Sequence, residues 1–104
     1  YPGADDQHKY STDDLDKVVQ ERQRLGLSNA LDLAAYYRDF YMVSEYLIAQ
    51  GSLSTLKQDR RFQQGFPPAL WGPIEQRLFM KNPDHSRRKP WTFAQIYIAA
   101  QWVL

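Results

Sequence analysis

Between Asn29 and Gly51 the apolar residues recur at intervals of three and four: Leu33, Tyr36, Tyr37, Phe40, Leu47 and Ile48, with Ser44 in the same register. That interval is the repeat of one helical face, about 3.6 residues per turn. Asn29 suits the N-cap, and Asp32 three residues later can reach back to it as in a capping box. Gly51 follows the last periodic residue, where a left-handed residue commonly ends a helix. Start, stripe and stop agree, so the spacing predicts one long helix that forms the spine of the fold. Met42 and Tyr46 fall nearly opposite the stripe and predict neighbours on a second side.

The remaining segments read as pieces packed around that spine. Residues 1–10 are polar, carry Pro2 and Gly3, show no periodicity and read as a flexible arm. Residues 11–104 then read as a single helical domain. Ser11 suits an N-cap, with Asp13 and Asp14 near the positive end of the helix it opens. Leu15, Val18, Val19 and Leu25 give that helix its stripe over about residues 12–25, and Gly26 its stop. Ser54 can cap a third helix running to Gln64, with Gly65 beyond it. Leu56 and Phe62 are its only large apolar residues, so it is thinly anchored. Phe66-Pro67-Pro68 opens a fourth helix, since proline suits a first turn. Pro73 predicts either a kink or a late start near Gly72. Leu70, Ile74 and Leu78 give its buried face, with Trp71 beside it, and Pro83 ends it near Lys81. After the loop 82–90, Thr92 caps a last helix and Gln95 completes a capping box. Phe93, Ile96, Tyr97, Ala100 and Leu104 share one face of it, while Ile98 and Trp102 lie on the other. No repeat, coiled-coil heptad or strand alternation is present. The expected fold is all-α, a compact five-helix bundle, with Leu33, Tyr37, Phe40, Leu47, Phe62, Ile74 and Ile96 at its core.

With 43% hydrophobic residues the chain belongs with folded domains, not disordered ones. No apolar run is long enough to span a bilayer, and no signal-peptide pattern opens the chain, so no membrane partner is expected. Tyr1 stands where an initiating Met would be, which predicts a piece excised from a longer protein. Cysteine is absent, which excludes disulfides and thiolate zinc sites. His8 and His85 sit in predicted loops far apart, where solvated histidines are commoner than ligands. No metal and no cofactor is expected. Residues 1–50 hold nine acidic against five basic residues, a net −4, and residues 51–104 hold three against eight, a net +5. The plainer reading is solvated charged faces. The sharper one is attraction between the acidic and basic faces of neighbouring copies, or contact of the basic half with phosphate.

No phosphate-cradling glycine loop, zincin helix, nucleophile elbow or aspartic-protease triplet occurs. An enzymatic role is not expected. Arg87-Arg88-Lys89 can be read as a solvated loop or as a weak nucleic-acid contact, though no aromatic alternates with these cations to stack on bases. Ile98 and Trp102 either pack on the first helix or the back of the spine near Met42 and Tyr46, or form an apolar patch for another copy. Trp is enriched at interface hot spots.

Several stretches, taken together and in order, resemble the C-terminal lobe of the capsid part of Gag polyproteins, in the style of gypsy-type long-terminal-repeat retrotransposons of fungal genomes. They are Tyr10-Ser11-x2-Asp14-Leu15, Arg24-Leu25-Gly26 and Leu33-x2-Tyr36-Tyr37-x2-Phe40. Next come Tyr46-Leu47-Ile48-x2-Gly51-x-Leu53-Ser54 and Arg61-Phe62-x2-Gly65-Phe66-x-Pro68-x-Leu70-Trp71. Gln76-Arg77-Leu78, Asn82-Pro83-Asp84-His85 and Ala99-Ala100-x-Trp102-Val103-Leu104 complete the series. The resemblance implies a structural module that self-associates into virus-like particles packaging RNA, as a weak homo-oligomer or dimer. It implies an upstream capsid lobe in the same polyprotein, RNA contact mainly through regions outside this segment, and cytoplasmic particles with room for a nuclear stage. A domesticated host Gag would look the same. Orthoretroviral lobes open the spine with Gln-Gly-x2-Glu. Leu27, Ser28 and Leu31 stand at those places here, so that polar network is not carried over. Retroviral lobes often make a two-fold contact through the helix after the spine. Here that helix would present Gln58, Asp59 and Arg61, a polar patch that implies a weak dimer or another contact face. The self-association candidates are therefore Gln58, Arg61, Ile98 and Trp102. The other readings are a nucleic-acid-binding helical domain using the basic half, and a SCAN-like helical dimerisation adaptor as found in transcription factors.

Overall fold

One helix, Ala30–Ala49, runs through the centre of the computed structural model, which describes residues 10–86 and 88–104. In chain order the helices are α1 (Thr12–Leu25), α2 (Ala30–Ala49), α3 (Thr55–Gln64), α4 (Pro68–Lys81) and α5 (Phe93–Val103), with no strand among the described residues. The architecture is all-α. α1 lies on α2; α3 touches α1, α2 and α5; α5 also packs on α2, and α4 packs chiefly on α5. The expected arm lies outside the described residues except for Tyr10, whose ring meets Tyr46 edge-on at 5.5 Å.

The ends of the helices follow from local chemistry. The Ser11 amide donates to Asp14 Oδ2 at 2.8 Å. Asn29 Oδ1 accepts from the Asp32 amide at 2.9 Å. The Asp32 carboxylate reaches back one residue further than a capping box would, to the Ser28 amide at 3.2 Å. α2 ends in a Schellman motif: Gly51 N bonds Ile48 O at 3.0 Å and Ser52 N bonds Leu47 O at 2.8 Å, with Gly51 at φ +74°. α4 runs unbroken through Pro73. Ala69, whose carbonyl loses its usual donor there, and Pro73 itself are both exposed, so water can meet that carbonyl.

Leu33, Phe40, Leu47, Phe62, Ile74 and Ile96 are buried as the stripes predict. Tyr37 is only half-buried, lying against Tyr97 at 4.1 Å, and the adjacent Tyr36 takes the interior place. Leu25 of the α1 stripe is exposed, while Leu27 in the link is buried. Met42 is exposed, so the second side of α2 is covered only in part.

Tyr36 is the tightest joint. Its ring stacks on Phe62 at 4.8 Å and 7°, with Phe40 and Phe66 edge-on to it. Its hydroxyl donates to the Phe62 carbonyl at 2.8 Å. The phenol crosses directly over Gly65, where an added Cβ would overlap Oη and Cζ. Gly65 has ordinary helical φ, so close approach, not backbone freedom, demands glycine there. Gly65→Ala is expected to cost about 1–3 kcal/mol, the usual range for overpacking. Tyr36→Phe should cost about 1–3 kcal/mol through the lost buried hydrogen bond. Denaturant unfolding measures both, and a neutral Gly65→Ala would contradict this packing.

Candidate interaction surfaces

α5 is held at its start by two devices. Thr92 and Gln95 form the predicted capping box, with bonds of 3.1 Å in each direction. Asp59 Oδ1 of α3 accepts the Phe93 amide at 2.9 Å. The helix then buries Ile96, Ala99 and Ala100. Ile98 and Trp102, four apart and so on one face, are left 66% and 63% exposed. They do not pack on α1 or on the back of the spine.

Beside them a groove of about 520 Å³ separates α4 from α5, lined among others by Arg77, Leu78, Lys81, Ile98 and Trp102. The Arg77 guanidinium carbon sits 4.0 Å from the centre of the Trp102 ring. That cation–π contact holds the indole in place while leaving most of it open. Spacing within α5 exposes the Ile98–Trp102 pair to a reader of the sequence. Nothing local couples Trp102 to Arg77, which is 25 positions away.

The other two association candidates are placed differently. Gln58 is 3% exposed, which corrects the expectation that it faces solvent. Its Nε2 donates to Ser44 Oγ at 2.9 Å and to Glu45 Oε2 at 2.8 Å. Ser44 is the small residue in an aromatic stripe, and the room it leaves is where the amide of Gln58 docks. Arg61 is half-buried, 3.1 Å from Asp16 Oδ1 of α1. It ties α3 to α1 within the same chain. Arg88 and Lys89 are exposed, and Arg87 lies outside the described residues, as does His8. His85 is not simply solvated: its ring stacks on Trp91 at 3.6 Å and Nε2 lies 2.9 Å from the Lys89 carbonyl.

Among the described residues no group of three His, Cys, Asp or Glu side chains could hold a metal ion. No described helix is long and apolar enough to cross a membrane. The buried Tyr36 phenol is pushed far above its ordinary pKa by desolvation, so it stays a donor into the alkaline range where an exposed tyrosine would ionise. Comparison with family models, curated proteins and solved structures gives no match for this chain.

Two predictions separate structural from contact roles. Gln58→Ala is expected to lower unfolding free energy by about 1 kcal/mol, measured by denaturant titration, whereas a pure contact residue would leave it unchanged. Desolvation raises the Asp59 carboxyl above its usual range, partly offset by the Phe93 amide. A carboxyl raised on folding favours the fold below its unfolded pKa, and that contribution is lost as pH rises through the folded value. Asp59→Asn keeps an acceptor for Phe93 without the charge. It should therefore raise the melting temperature at neutral pH, and the gap should close below the carboxylate range. A variant less stable at neutral pH than at acid pH, relative to wild type, would contradict this.

Proposed function

We propose that this chain is a structural assembly module, the C-terminal capsid lobe of a retrotransposon-like Gag, which works by association with further copies of itself and performs no chemistry. The observation that carries the reading is the open Ile98–Trp102 face of α5 beside its groove. Burying the open parts of two such side chains contributes about 3 kcal/mol. Association costs about 4 kcal/mol or more in lost freedom. One contact of this kind is therefore weak, and closure of a particle rests on many copies acting together.

Charge favours a second copy as the occupant. Arg77 and Lys81 flank the groove, no acidic residue lines it among the described residues, and the first half of the chain carries the net −4. Basic rim against acidic half gives a head-to-tail contact that repeats from copy to copy. Gln58 is spent inside the fold, and Arg61, half-buried beside Asp16, is not among the residues that line this groove. In this reading the upstream capsid lobe and the packaged RNA are the further partners, and the particles are cytoplasmic.

Sedimentation across a wide concentration range, at low and high salt, tests it. The wild type is expected to shift reversibly from monomer to higher species, less so at high salt. Trp102→Ala and Ile98→Asp should hold it monomeric with little change in melting temperature, since both side chains are mostly exposed. A monomer at every concentration would overturn self-association by this face. A tight, discrete, salt-insensitive dimer would instead favour the dimerisation adaptor.

A further inference from the structure

A second concavity, of about 280 Å³, lies where the loop before α5 folds back over α3 and α4. Three cations line it: Arg60 from α3, and Arg88 and Lys89 from the loop. None of the three has an ion-pair partner among the described residues. Among the described residues Glu75 is the one acid on its wall, and it pairs with none of them. The sequence places Arg60 28 positions from Arg88, so only the fold brings these charges together.

The described residues of the loop that carry two of the cations are held by local bonds. The Lys89 amide bonds the Ser86 carbonyl at 3.2 Å, and the Arg88 amide bonds Ser86 Oγ at 3.2 Å. The His85 ring ties to the Lys89 carbonyl and stacks flat on Trp91, itself edge-on to Phe79 at 5.0 Å. An aromatic floor thus fixes the backbone from which the cations project.

Like charges gathered in a concavity repel one another and raise the local potential for an anion. Guanidinium groups match phosphate oxygens in pairs. The volume is small for a folded partner and suits a compact ligand. We propose that this cleft binds a phosphate group, held by Arg60, Arg88 and Lys89. That chemistry is shared by a free polyphosphate and a nucleic-acid backbone. The site is separate from the α4–α5 groove and does not rest on self-association.

Titration calorimetry with sodium tripolyphosphate at low salt tests the site, alongside anisotropy of a labelled single-stranded RNA. Saturable tripolyphosphate binding that weakens with salt is expected. Arg60→Gln and Arg88→Gln should each weaken it about ten-fold, one charge-assisted hydrogen bond. Glu75→Gln should tighten it. Arg38→Gln, on the exposed surface of α2, and Trp102→Ala should leave it unchanged. RNA displaced by tripolyphosphate identifies a strand backbone as a ligand of this cleft. RNA that binds but is not displaced lies elsewhere, and leaves free polyphosphate as the ligand. Absence of saturable tripolyphosphate binding, or an Arg38→Gln loss equal to that of Arg60→Gln, would overturn the proposal.

Discussion

The phenol of Tyr36, laid over Gly65 and bonded to the Phe62 carbonyl, is the contact on which the rest depends. α3 is a poor helix to hold in place. Its sequence is mostly polar, and it buries only Gln58 and Phe62. Its last carbonyls lack intrahelical donors, as at any helix end. The Phe62 carbonyl accepts the Gly65 amide at a long 3.3 Å; one aromatic side chain from α2 adds a shorter second donor to it, stacks on the single buried ring of α3, and fills the space that glycine leaves open. Desolvation raises the pKa of that phenol, so the donor persists at alkaline pH where an exposed tyrosine would ionise.

From that joint the order passes outward. With α3 fixed on α2, Asp59 stands where the first amide of α5 can reach it. The Gln58 amide meets Ser44 and Glu45, and Arg61 meets Asp16, so the one thin helix is stitched to α1, α2 and α5 together. α5 is then oriented with Ile96, Ala99 and Ala100 inward, which turns Ile98 and Trp102 to solvent. The exposed face is a consequence of how α5 is anchored. Arg77 of α4 then closes over one side of the indole and sets its angle.

Much of this was legible in the sequence because helix boundaries are written in local chemistry. Asn29, Ser54, Thr92 and Gly51 each act where their residue type predicts. Tyr36 and Tyr37 could not be ranked by periodicity, since adjacent helical residues lie about 100° apart and both fall within a broad apolar face. What separates them is Gly65, distant in sequence, which makes room for only one. Gln58 looked exposed because polar residues surround it, and its burial depends on the gap at Ser44. Pro73 predicts a kink or a late start near Gly72, yet the helix begins at Pro68 and its exposed face tolerates the lost bond. The paired outward residues of α5 were legible from spacing alone. The cations that accompany them, and those that gather with Arg60, come from separate helices and needed the fold.

The most direct measurement is a dilution series followed by proton–nitrogen correlation NMR. If copies meet through the α4–α5 face, the Trp102 indole and the amides near Arg77, Ile98 and Trp102 should shift with concentration, while those around Tyr36 and Phe62 stay fixed. Shifts confined to another surface, or none at any concentration, would contradict the account.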